Sequence, residues 1–141
     1  KKKQIEHIHW SDAPDIWMPY APAIKVSGGT TVYLAGCTAT PVYHSHPHVP
    51  EEFDGIPEDM EGQTRIVLEN IKKGLESVGA NFSDIVTSNR YCTDLSDQDA
   101  LNRVWAEYFG DNKPTTTTVQ VVQLATDPRC KIEIDAVAVI D

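Results

Sequence analysis

The stretch that most constrains the fold is residues 131–140, KIEIDAVAVI. In an extended strand, successive side chains point to opposite faces. Ile132, Ile134, Ala136 and Ala138 therefore share one face, and Glu133, Asp135, Val137 and Val139 share the other. A strand with one wholly apolar face belongs in a sheet packed against helices.

Two segments supply those helices. Over 61–79, Leu68, Ile71, Leu75 and Val78 recur at helical spacing, and Gly79 suits the C-terminal cap. Over 98–109, Leu101, Val104, Trp105 and Tyr108 form a second stripe, with Ser96 or Asp97 placed to cap it. Residues 83–93 and 116–124 read as strands, rich in residues that suit a pleated surface. The apolar runs 23–26 and 31–35 flank Ser27-Gly28-Gly29-Thr30, which predicts a β-hairpin, and 4–10 adds a further short strand. The expectation is an α+β chain: a single mixed sheet of about five to six strands with both helices on one face. No third layer is left to cover the opposite face, so an oligomer is expected to bury it between subunits.

The chain has 141 residues, within the usual span of roughly 100–200 per domain, so 1–141 reads as a single domain. Its 12 Lys+Arg against 21 Asp+Glu give a net charge of −9. That balance repels polynucleotides and anionic membrane surfaces, so neither is expected as a partner. No apolar run approaches the ~18–20 residues of a membrane span. The start, KKKQIEHIHW, is basic, but no apolar stretch follows it as in a signal peptide. Cys37, Cys92 and Cys130 show no metal-type spacing and fit a reducing compartment, so the expected location is cytoplasmic.

Residues 40–59, TPVYHSHPHVPEEFDGIPED, hold four prolines, three histidines and five acidic residues. Proline removes backbone donors and fixes φ, so this reads as a long inserted loop. His44, His46 and His48, followed by Glu51 and Glu52, have a spacing like the first metal motif of cupins. No histidine follows His48 to complete such a site, and Pro47 and Pro50 interrupt the strand that would align the ligands. A solvated loop or a lid is the expected reading, with no metal.

Words along the chain resemble one family. They are Pro19-Tyr20, Leu34-Ala35-Gly36, Gln63-Thr64 with Leu68-Glu69-Asn70 and Leu75, Asp84-Ile85-Val86, Thr93-Asp94-Leu95, Asn102 with Tyr108-Phe109, and Lys131-Ile132-Glu133-Ile134-Asp135-Ala136-Val137-Ala138. On these the chain is identified as a member of the Rid family, the YjgF-type reactive intermediate deaminases. The resemblance implies a YjgF-like, chorismate-mutase-like fold and a homotrimer with a central barrel and a small-molecule cleft at each subunit interface. It implies hydrolysis of enamines and imines to ketones and ammonia, without metal or organic cofactor. Glu133 matches the family's water-activating glutamate. Tyr20, Gly36, Asn102 and Thr118 match positions lining its cleft. The carboxylate-gripping position departs: the family's active deaminases carry Pro-X-Arg-Ser/Thr, and here Thr116 stands at the arginine that grips the substrate carboxylate. A threonine cannot replace a guanidinium, so the chain is assigned to a branch lacking that arginine.

Each candidate also has a plainer reading. Glu133 could be only the water-facing member of an alternating strand, Tyr20 a packed aromatic, and Asn102 a structural hydrogen-bonding group. Arg90 falls in a strand where the family has an apolar residue, on the face of Val86, Ser88 and Cys92. It either pairs with a carboxylate of this acidic chain or brings to the cleft the cation lost at Thr116. Cys37 is a candidate nucleophile, but nothing adjacent would lower its pKa, and a small buried residue is the simpler reading. The function expected is a small-molecule enzyme of the Rid family, an enamine/imine deaminase-like hydrolase with Glu133 positioning water. The alternative is a non-catalytic metabolite-binding trimer of the same family, and a weaker one is a metal enzyme using the histidine loop.

Overall fold

The computed structural model describes residues 1–141. Six strands and two α-helices follow in the order β1 (Gln4–Ile8), β2 (Ala23–Ser27), β3 (Thr30–Cys37), α1 (Met60–Glu76), β4 (Ile85–Cys92), α2 (Gln98–Phe109), β5 (Thr115–Gln120) and β6 (Ile132–Ile140). The main sheet has the order β3-β6-β4-β5. β6 runs antiparallel to both neighbours and β4 parallel to β5, so the sheet is mixed. No helix is long and apolar enough to cross a membrane.

β6 alternates as its sequence dictates. Ile132, Ile134, Ala136 and Ala138 are buried under the helices, and Glu133, Asp135 and Val137 lie half-buried on the other face. α1 brings Val67, Leu68, Ile71 and Leu75 to this core, and α2 brings Leu101, Val104, Trp105 and Phe109. Val78 lies past the end of α1 and stays exposed. Tyr108 is only half-buried, and its hydroxyl donates to Glu69 over 2.6 Å. Gly79, at φ 72°, turns the chain out of α1, while the Ala80 amide donates to the Leu75 carbonyl over 2.9 Å. Trp105 is wholly buried, stacks on Phe109 at 4.3 Å between centroids, and donates from Nε1 to the Pro19 carbonyl over 2.9 Å. Truncating a side chain so placed costs ~3–5 kcal/mol.

Two expectations need correction. The strands form two sheets rather than one, because β2 pairs antiparallel with β1 and not with β3. Gly28 and Gly29, at φ 68° and 81°, do make the turn. However, Gly29 donates its amide to the Lys1 carbonyl over 2.9 Å, and β1 takes the edge of β2 along its whole length. The second correction is local. A register shift between Ile85 and Thr87 puts Ile85, not Val86, on the buried face of β4 with Ser88, Arg90 and Cys92.

The 40–59 segment is a loop carrying one 3-10 turn, Pro50–Phe53, and it is held firmly. Asn70 of α1 donates to the carbonyls of Thr38 and Thr40 at its start. Gln63, fully buried, donates to the carbonyls of Pro57 and Arg129 and accepts from the Lys131 amide. Arg129 reaches Asp54, the Pro50 carbonyl and Asp127. Phe53, 1% exposed, anchors the turn in the interior.

Candidate active site

The sheet sorts the candidate residues into two groups. Cross-strand register sets Arg90 opposite Ile134 and Tyr91 opposite Glu133. Arg90 therefore points under the helices, and Glu133 points from the face the helices leave open.

On the helix side, Arg90 is 3% exposed. Its Nε donates to the Thr118 hydroxyl and its Nη1 to the Asn102 carbonyl oxygen, each over 2.8 Å, and its guanidinium lies 4.8 Å from the Trp105 ring centroid. It forms no ion pair, so the expected pairing with a carboxylate does not occur. Burial without a counter-charge pulls the guanidinium down to about 10 from its ordinary value. Nη2 makes no hydrogen bond, yet it is not sealed from solvent. Asn102 and Thr118 thus hold a cation that neither can neutralise. Tyr20 and Thr116 line a 590 Å³ cleft roofed by the segment before β2, with Trp10, Met18 and Lys113, and Arg90 is not part of its wall. The Thr116 hydroxyl has only a long contact, 3.4 Å, to the Pro114 carbonyl.

The second group lies where β3 leaves β6. A Cβ on Gly36 would collide with the Glu133 carboxylate, so the glycine leaves room for that side chain to lie across the backbone. Burial first, and the charge of Asp135 second, push the Glu133 carboxyl above its ordinary range. Asp135 accepts from the Asn89 amide over 2.9 Å and from the Tyr91 hydroxyl over 3.1 Å. Asp135 was legible as a neighbour of Glu133 from the alternation, but its role as the fixed charge beside it was not drawn from the sequence. Cys37 is half-buried beside them, and burial together with the Glu133 charge pushes its thiol up. It therefore stays a protonated thiol and makes a poor nucleophile.

His44, His46 and His48 belong to neither group. Their rings nevertheless converge, despite the prolines between and after them.

Comparisons with known proteins agree with this architecture. Residues 10–140 match the family described as Endoribonuclease L-PSP. A RutC family protein of Pyrococcus abyssi is 38% identical over 94% of this chain and 95% of its own length. Reactive Intermediate Deaminase A of Arabidopsis thaliana, a chloroplast protein, is 31% identical over 97% of this chain and 66% of its own. The solved structure of YyfB from Yersinia pestis, titled as a protein of unknown function of the conserved Rid family, superposes with a TM-score of 0.78 at 25% identity, covering 96% of this chain and 98% of that one. With two helices and mixed sheets in the same arrangement, and a match running almost end to end, this chain belongs to the Endoribonuclease L-PSP family, also called the YjgF/RutC/Rid family.

Proposed function

We propose that this protein is an enamine/imine hydrolase working in a cleft between subunits of a homotrimer, with Glu133 as the group that positions and deprotonates water. The observation that carries this reading is Glu133 itself, a half-buried carboxyl raised by burial and by Asp135, lying over a glycine on an uncovered sheet face. A carboxylate so placed is a better base than one free in water. Water attacks the sp² carbon of the protonated imine, a C–O bond forms as Glu133 takes one proton of the water, and the C=N π pair goes to nitrogen. Glu133 then gives that proton to the carbinolamine nitrogen, the C–N bond breaks as the hydroxyl becomes the carbonyl and yields its proton through Glu133 to solvent, and a ketone and ammonia leave. An enamine first takes a proton at carbon and enters as the imine.

The trimer is supported by the open sheet face. Tyr33 is 80% exposed there, set in register opposite Val137. Burying such a face between subunits removes apolar area from water. It also accounts for the segregation of the two groups, since a neighbouring subunit can bring its Arg90 side to this chain's Glu133 side. Within the trimer, Arg90 supplies the positive charge that Thr116 does not, and its unpartnered Nη2 suits a substrate carrying an anionic group. The acidic net charge of −9 favours a small molecule over a polynucleotide.

The test is hydrolysis of imines generated in place by an amino-acid oxidase, with semicarbazide trapping as the readout. Turnover by the wild type and its loss in Glu133→Gln is the expected result. Thr116 favours one second reading, a metabolite-binding trimer without turnover. Equal, background rates for both proteins, with ligand affinity altered by Glu133→Gln, would select it.

A further inference from the structure

We propose that His44, His46 and His48 form a binding site for one divalent late first-row transition metal of the zinc class, on the loop after β3. Three donor nitrogens, one from each ring, all lie within 4.8 Å of one another. The ring centroids make a near-equilateral triangle with sides of 4.8, 4.9 and 5.2 Å. A tetrahedral ion with Zn–N bonds of ~2.0–2.1 Å spaces its nitrogens ~3.3 Å apart. The triangle must therefore contract by about 1.5 Å at most. Side-chain rotation provides this, because His46 and His48 are exposed and His44 is half-buried.

The surroundings are those of a ligand set rather than of loose surface histidines. His44 Nδ1 lies 2.7 Å from the Pro41 carbonyl, so this nitrogen is the donor and Nε2 is left with its lone pair free. A ring oriented through one nitrogen to a backbone carbonyl is the usual support of a metal-bound histidine. Phe53 stands edge-on to His44 at 5.2 Å and to His48 at 5.8 Å, which gives the cluster a dry, rigid floor. That floor does not drift: Phe53 is buried, Arg129 ties Pro50 and Asp54 to Asp127, and Glu52 accepts from the Ser45 amide over 3.1 Å. Three imidazole nitrogens as ligands select zinc, nickel, copper or cobalt over magnesium and calcium. They leave a fourth position open to water or an anion.

The test uses tag-free, full-length protein dialysed against chelator and titrated with cobalt(II) chloride, followed by visible absorbance, and with zinc chloride, followed by calorimetry. One ion per chain, at micromolar affinity or tighter, is expected, with ligand-field bands of a nitrogen-bound ion. His46→Ala and His48→Ala each should weaken binding by at least ~100-fold, the scale that even outer-shell losses reach. Both sites are exposed, so circular dichroism of these variants should match the wild type. The double variant His7→Ala/His9→Ala should bind as the wild type does. Sub-stoichiometric or millimolar binding, binding indifferent to His46 and His48, or binding lost with His7 and His9 would each overturn the proposal. None of these readouts depends on imine hydrolysis.

Discussion

Arg90 Nε donates to Thr118 Oγ1 over 2.8 Å, between residues that the parallel β4–β5 register sets side by side. With Asn102 as the other partner, the guanidinium is buried among groups that accept hydrogen bonds but carry no charge. Burying an uncompensated cation is costly, and its attraction for an anion is correspondingly large.

Arg90→Met should separate stability from recognition. The methionine fills similar volume and removes the buried charge, while leaving Asn102 and Thr118 each short of a donor. These effects oppose one another, so urea unfolding should place the variant within about 1 kcal/mol of wild type. Against anionic imines kcat/KM should fall by ~10²-fold, and against neutral imines it should hardly change. A variant that lost stability but kept its anion preference would make Arg90 a structural residue only.

The raised Glu133 carboxyl has a definite linkage sign. Its folded-state pKa lies above the ordinary value of 4.5, so the folded state holds the proton more tightly than the unfolded chain. The charged form therefore costs stability above the raised pKa, and the cost disappears as pH falls through it toward 4.5. Glu133→Gln should melt above wild type at pH 7, with the gap closing over that window. Asp135→Asn removes the neighbouring charge, so the acid limb of the wild-type rate profile should move to lower pH in that variant. A limb that stays where it is would mean that Asp135 does not act on Glu133.

Gly36→Ala tests the same carboxylate by geometry. The new methyl group must displace the end of a flexible side chain and not backbone, so the fold survives. The Glu133 carboxylate, however, must leave its position, and a misplacement of about 1 Å at a catalytic group costs ~10²-fold in rate. The expected outcome is kcat down by about that factor, KM little changed, and a melting temperature close to wild type. Unchanged kcat would remove Glu133 from the chemistry.

The sequence carried some of this and not the rest, for physical reasons. α2 was legible to its boundaries, Gln98–Phe109, because its apolar stripe is local and Gly110, at φ 55°, closes it. The face of each β6 residue followed from alternation alone. The β2–β3 hairpin was misread because Gly28-Gly29 specifies a turn and not a partner; β1, some twenty residues away, supplies the partner. Alternation likewise grouped Arg90 with Ser88 and Cys92 but told neither which face of the sheet they occupy nor what Arg90 meets there. An amide on α2 and a hydroxyl on β5 are tertiary neighbours that no local pattern announces. The histidines show the same limit from the other side. Their spacing with interrupting prolines argued against convergence along a strand, and the loop brings them together by folding around Phe53 instead.

The open face of the sheet yields the last prediction. Tyr33 is 80% exposed in the single chain, so Tyr33→Glu removes few contacts within the subunit. A surface change of this kind usually shifts unfolding by less than ~0.5 kcal/mol. In the proposed trimer the same position faces the other subunits across the shared barrel, opposite Val137 and on the face that also carries Glu133 and Asp135. Three new carboxylates would then meet in a space already rich in them, and burying like charges together is strongly unfavourable. Native mass spectrometry should therefore show wild type at three times the chain mass and Tyr33→Glu at one. Dissociation should take turnover with it, because Glu133 and Arg90 lie on opposite faces of one sheet and the proposed cleft needs both. A wild-type monomer, or a variant that stays assembled, would mean that this face is covered in some other way and would leave the two groups without a common site.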